Sequence, residues 1–189
     1  MKFNITETIH SEKVQTVRLG TAADANGRYA DTEMGKAVKL VAESRYALCA
    51  AGDPIEGIIS SVKLGTMDGF SAGGIITSGY KAVTFDGLEA TPGTGTIAVG
   101  DYVVTGTVVA KDTALTGPLK VTKATNQPGA TIESTVASAD TAAAVKVALD
   151  AVLVKVADAE TNALFACRVV SLGSAGTGAV GTVGVVEFL

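Results

Sequence analysis

The side chains able to do chemistry are few and scattered. The chain has one histidine, His10, and two cysteines, Cys49 and Cys167, in 189 residues. One histidine leaves no His-rich zinc site. A histidine base also needs a rigid, partly desolvated setting, which the polar surroundings of His10 do not offer. Ser60-Ser61-Val62-Lys63 fits S-x-x-K, the serine–lysine spacing of penicillin-recognising enzymes. That spacing works on one helical turn, whereas on a strand residues three apart face opposite sides. Gly176-Thr177-Gly178-Ala179-Val180-Gly181 spells G-x-G-x-x-G. Dinucleotide chemistry there requires a helix opening at the loop and an acidic residue about 20 positions on, and Leu189 is reached first. Asp24-Ala25-Asn26-Gly27 begins like a calcium loop, but its glycine comes two positions early. The acidic pairs Asp31/Glu33, Asp86/Glu89 and Asp158/Glu160 fall in turn-like segments, where carboxylates are ordinarily solvated. No Walker A loop occurs. The expectation is a chain with no catalytic residue, no cofactor and no metal site.

Composition narrows the remaining classes. Hydrophobic residues make up 47% and charged ones 18%, against about 25% charged in an average globular protein. Such a chain has enough apolar surface to offset its conformational entropy. The net charge of −4, without a basic stripe interleaved with aromatics, argues against nucleic acid and against an anionic membrane surface. The absence of Trp and an aromatic content of 5% weigh against sugar stacking. Met1-Lys2-Phe3-Asn4-Ile5-Thr6-Glu7 carries no apolar signal region, so a secretory route is not expected. Cys49 and Cys167 sit in apolar runs and read as reduced, buried thiols. The uncharged run Val169–Val186 is too rich in glycine and β-branched residues for a membrane helix, and reads as strand, loop and strand.

The elements that hold these residues read mostly at period two. Ile58–Leu64, Tyr102–Ala110, Val152–Ala157, Phe165–Val169 and Val185–Leu189 alternate or are β-branched, which predicts strands. In the first of these, Ile58, Val62 and Leu64 are expected to share a face. Asp158–Asn162 reads as a hairpin loop. The Asp31–Ser44 segment is read as a strand around Lys36–Leu40 rather than a helix. One helix is expected at Thr141–Ala151, capped by Ser138-Ala139-Asp140 and packed on an end of the β core. Residues 1–35 read as an extended N-terminal arm with one short strand at Val14–Leu19, because apolar residues there are spaced among polar ones without a core of their own. Phe3, Ile5 and Ile9 would be its anchors on a partner. The fold class is therefore mainly β: a small sandwich or barrel over residues 36–189, preceded by that arm, with at most one or two short helices. An internal echo links Gly52-Asp53-Pro54-Ile55-Glu56-Gly57 with Gly100-Asp101-Tyr102-Val103-Val104-Thr105-Gly106. In each, Gly and Asp are read as a structural turn.

Gly35-Lys36-Ala37-Val38-Lys39-Leu40, followed by Ser44-Arg45-Tyr46-Ala47-Leu48-Cys49-Ala50-Ala51-Gly52-Asp53-Pro54-Ile55-Glu56-Gly57, resembles the capsid decoration (cement, head-stabilising) proteins of tailed bacteriophages. In that group an apolar strand leads into Gly-Asp-x-Ile/Val-x-Gly and a further strand, and Gly100-Asp101-Tyr102-Val103 repeats the device. The resemblance spans roughly residues 35–110 and the glycine-rich C-terminal strand. It implies a β domain on the exterior of an icosahedral virion shell, assembled in the bacterial cytoplasm. The implied partner is the major capsid protein, and a homo-oligomer is implied, a trimer before a dimer. The competing readings are another virion or tail structural protein, and a carbohydrate- or ligand-binding β module.

Overall fold

A computed structural model describes residues 13–21, 27–63, 69–88, 97–124, 141–164, 167–176 and 178–188. Its strands are β1 (Lys13–Leu19), β2 (Ala37–Ala42), β3 (Arg45–Leu48), β4 (Gly57–Lys63), β5 (Ser71–Leu88), β6 (Val103–Thr105), β7 (Leu119–Lys123), β8 (Cys167–Ser171) and β9 (Val183–Phe188). A 3₁₀ turn at Asp31–Glu33 precedes β2, and one helix, α1 (Ala142–Leu164), precedes β8. The fold is mainly β, as composition and periodicity lead one to expect.

The nine strands form one mixed sheet whose pairings close on themselves twice. The first half of β5 pairs antiparallel with β1 on one side and with β4 on the other. From β4 the ladder runs to β2 and then β3, and β3 returns to β1 in parallel. The second half of β5 pairs antiparallel with β9 and parallel with β7. β8 extends β9, β6 extends β7, and a bridge between Tyr102 and Arg168 joins that pair of edges. Two five-stranded rings thus share one 18-residue strand. The handover falls between Ser78, which faces Lys13, and Gly79, which faces Phe188. Gly79 has φ +116°, a conformation closed to most side chains, and it lets one strand serve two rings.

Burial follows the pleat. Val17, Leu19, Tyr29, Val38, Ile59 and Ile75 form the core of the first ring. Val83, Phe85, Val121, Val169, Val186 and Phe188 form that of the second, together with Ala37, Cys49, Ile55 and Ile58. In β2 and β4, neighbouring residues face opposite ways, so Val38 and Ile59 enter the first core while Ala37 and Ile58 enter the second. That two-sided burial explains the paired apolar residues at the start of each strand.

Several expectations are corrected. The register shifts between Ile59 and Ser61, so Val62 packs with the Ile59 face and not with Ile58. Leu64 lies outside the described residues. Only Val103–Thr105 of the Tyr102–Ala110 run is strand; after Gly106 the chain leaves the ladder. Val152–Ala157 and Asp158–Asn162 are not strand and hairpin loop but the continuation of α1. Val152 and Val156 stand one helical turn apart, and an alanine-rich run with no glycine or proline sustains the helix. α1 is therefore long, and it does not pack on an end of the β core: no described strand packs along it, and its described residues are mostly exposed. Its expected caps, Ser138-Ala139-Asp140, lie outside the described residues.

The arm expected over residues 1–35 is corrected for its described part. β1 is paired along its whole length with β5, and Val17 and Leu19 are buried in the first core. Tyr29 is buried as well. Its amide donates to Ser71 Oγ at 2.8 Å, and its hydroxyl accepts from the Leu48 amide at 2.8 Å. The segment lacks a core of its own because it supplies one wall of the ring. Phe3, Ile5, Ile9 and His10 lie outside the described residues.

Candidate interaction surface

The serines of the S-x-x-K stretch and the described glycines of the G-x-G-x-x-G loop serve the scaffold. Ser60 Oγ donates to the Gly74 carbonyl at 3.0 Å, and Ser61 Oγ accepts from the Gly74 amide at 3.1 Å. Both hydroxyls thus satisfy the backbone of β5 beside the bulge, and Lys63 is exposed. Of the G-x-G-x-x-G loop, Gly178 lies against Ile97, which donates its amide to the Gly178 carbonyl at 3.2 Å, and Gly181 donates to Phe85. The loop leads into β9 rather than a helix. Thr177 lies outside the described residues, as do Asp24–Asn26 and Glu89.

The two Gly-Asp turns repeat one another in detail. Gly52 and Gly100 have φ +83° and +94°. Asp53 Oδ2 accepts from the Ala50 amide at 2.6 Å, and Asp101 Oδ2 from the Ala98 amide at 2.8 Å. Each carboxylate also meets a lysine: Lys39 at 2.6 Å from Asp53, and Lys123 at 2.7 Å from Asp101. Each turn then docks on a strand by the same two bonds. The Gly52 amide donates to the Thr105 carbonyl and the Thr105 amide to the Asp53 carbonyl, at 2.7 and 3.0 Å. The Gly100 amide donates to the Val169 carbonyl and the Val169 amide to the Asp101 carbonyl, at 2.8 and 2.9 Å. The first turn thereby ties the two rings together, and the second helps close the second ring.

Glu33, expected in a solvated turn, is instead one half of a buried ion pair. Glu33 is fully buried, and Lys36 Nζ lies 2.6 Å from its Oε2. Lys36 also donates to the Ala110 carbonyl at 2.8 Å, and Glu33 Oε1 accepts from the Asp112 amide. Together they pin the loop between β6 and β7 to the base of β2. Beside Lys36 lies a cavity of about 130 Å³, lined by Cys49, Thr84, Thr105, Val109 and Leu119 among others. Asp86 sits on the same side, bonded by the Thr107 amide at 2.6 Å and by Lys120 at 3.4 Å. Partial burial by itself would raise the Asp86 carboxyl. The Thr107 and Lys120 bonds outweigh it and hold the group below the usual range. Cys49 and Cys167 are free and buried. Burial pushes the Cys49 thiol up to about 12, with smaller opposed effects from Thr105 and Asp53. Burial alone raises that of Cys167. Neither environment produces a thiolate. Among the described residues no group of three or more His, Cys, Asp or Glu converges as a metal site.

Among the described residues, the densest run of exposed apolar side chains is on α1. Val147 is 68% exposed, Val154 61%, Leu153 57% and Leu149 56%, and Val145 and Val156 are exposed too. A helix that exposes this many valines and leucines is normally covered by something else. No helix among the described residues is long and apolar enough to cross a membrane. A smaller feature marks the end of the first ring, where the guanidinium groups of Arg18 and Arg45 lie 5.9 and 5.5 Å from the Phe70 ring centre. The sequence reading saw the helix but missed that it would stand uncovered, because the strand reading of Val152–Ala157 cut it short. Compared with known proteins, the chain matches no family model, no curated protein and no solved structure.

Proposed function

We propose that the protein is a structural virion component that binds the outer surface of an icosahedral phage shell and braces it by bridging capsid subunits. The observation that carries this reading is the contrast between body and helix. The ion pair, hydroxyls and thiols described above are spent inside the body, while a helix with exposed apolar residues lies open to a partner. Of the Gly-Asp turns that carry the resemblance to decoration proteins, the first joins the two rings and the second helps close the second ring. A joined body suits a clamp that must resist strain across a seam. The partner is the major capsid protein, and the proposed location is the capsid exterior. A molecule that binds only the closed shell stabilises it by linkage, to an extent that grows with the logarithm of the ratio of its concentration to its dissociation constant. The anchor role proposed for Phe3, Ile5 and Ile9 is retained for the residues before β1 alone, since β1 itself is committed to the first ring. The test is co-sedimentation of the purified chain with empty shells of its phage. Saturable binding with a raised shell melting temperature is expected, and no binding at concentrations well above micromolar would remove the proposal.

A further inference from the structure

The loop between β6 and β7, residues 106–118, is a strap with few ties to the body. It has no regular structure, and most of it is exposed. Its base is fixed: the Gly106 amide donates to the Lys120 carbonyl at 3.0 Å, and the Thr107 amide donates to Asp86 Oδ2. Beyond Thr107, among the described residues, two hydrogen bonds hold the strap to the rest of the chain. The Ala110 carbonyl accepts from Lys36 Nζ, and the Asp112 amide donates to Glu33 Oε1. Both end on one buried ion pair. The bonds from Thr113 to Ala110 and from Lys111 to Asp112 stay within the strap. Half-buried Leu115 adds an apolar contact. A Cβ at Gly35 would meet its Cδ1 at 3.2 Å, so Leu115 rests against the turn that follows Glu33. Leu115, Gly117, Pro118 and Leu119 line the cavity of about 130 Å³ beside Lys36, and they also line a cleft of about 370 Å³ that reaches Ile58 and Ile76. A side chain bordered by two voids gives up fewer contacts on moving than one in a solid core. Cys49 lines the smaller cavity and Cys167 lines neither.

We infer that this strap is a latched lid: it swings off the body as a unit while both rings stay folded, and Glu33 with Lys36 is its latch. The pairing of β6 with β7 and the Gly106 bond lie on the near side of the moving part and survive the opening. At the far end Gly117 gives room to turn, since a Cβ there would meet nothing within 4 Å. A segment with so few bonds and so little burial opens at a lower free energy than the whole domain unfolds. Opening joins the cavity to the cleft and brings Cys49 to solvent, whereas Cys167, inside the second core, waits for global unfolding. The latch precedes β2, in the first ring, and the strap belongs to the second, so one ion pair decides whether the lid is shut. This inference concerns the body alone and does not depend on shell binding.

The test is slow thiol labelling of the folded full chain by excess aromatic disulfide reagent, followed for hours at mildly alkaline pH and resolved by site through peptide mass. In the parent both thiols are expected to react slowly, Cys49 at least about tenfold faster than Cys167. Low urea is expected to speed Cys167 and leave Cys49 nearly unchanged, because only the former needs global unfolding. The ratio of the two rates is the readout, since a general loss of stability speeds both. Glu33→Leu with Lys36→Met removes both strap bonds without stranding a charge, and is expected to raise the ratio by a further factor of about ten or more. Leu115→Ala leaves the ion pair in place and is expected to raise the ratio as well, which keeps the test open should the double variant fold poorly. A parent in which the two thiols react at one rate, or a ratio moved by neither change, would overturn the inference.

Discussion

Glu33 and Lys36 are buried together, so each is needed by the other. Removing one partner of such a pair strands a charge and costs about 3–5 kcal/mol, whereas replacing both by apolar residues of similar size is often near neutral. Lys36→Met is therefore expected to lower the urea unfolding free energy by that amount, and Glu33→Leu with Lys36→Met to recover most of it. A single-variant cost under about 1 kcal/mol would show the pair to be solvated. The thiols give a pH dependence of known sign. Cys49 ionises at about 12 in the folded chain against 9.0 unperturbed, so between those values only the unfolded chain loses the proton. Stability is then fully present below about pH 9 and falls as pH rises through the window, by up to about 1.4 kcal/mol per pH unit for this thiol. Cys167 is shifted in the same direction. Cys49→Ala, followed by urea melts at neutral pH and above pH 9, is expected to flatten part of that decline. In the native protein at mildly alkaline pH both thiols should resist a disulfide reagent that titrates them in denaturant. The thiols were legible in the sequence because each sits in an apolar run. The ion pair was not, because Asp31-Thr32-Glu33 looks like a solvated turn and one partner of Glu33, the Asp112 amide, is 79 residues away.

At the scale of the element, the repeated turns and the shared strand carry the sharpest expectations. Asp53→Ala and Asp101→Ala each remove an acceptor for an amide three residues back and a lysine contact, and each is expected to cost about 1–2 kcal/mol. Asn at either position should cost less, because it keeps the amide acceptor. Equal melting temperatures for the alanine variants and the parent would argue that the turns are passive. Gly79→Val should cost several kcal/mol or prevent folding, since valine is strongly disfavoured at φ +116° and the strand cannot pass between rings without it. The Gly-Asp echo was readable because turn chemistry is local: glycine supplies the positive φ and aspartate bonds its own backbone. The strand at Val14–Leu19 was also readable, but its place in the body was not. Its partners are β5 and, in parallel, β3, and no local signal announces a ring closed by residues so distant in the chain. The helix was half legible. Alanine marks its start, whereas Val152, Val154 and Val156 satisfy period two and stand equally well on a helix, where the first and last share a face.

For the whole molecule, two closed rings on one strand leave few free edges among the described residues, while α1 stands largely exposed. Removing residues 1–12 is expected to keep a cooperative thermal transition close to that of the full chain, because the described rings begin at Lys13. Removing residues 1–20 deletes β1 with Val17 and Leu19, and is expected to abolish that transition by circular dichroism. Survival of the second truncation would mean the first ring does not need β1. The most direct test of the account is to incubate emptied phage shells with the purified chain and follow shell disruption by differential scanning calorimetry. Saturable loading on the exterior with a higher disruption temperature, lost on truncation of residues 1–12, is the expected result. Shells that melt at the same temperature with and without saturating protein would contradict it.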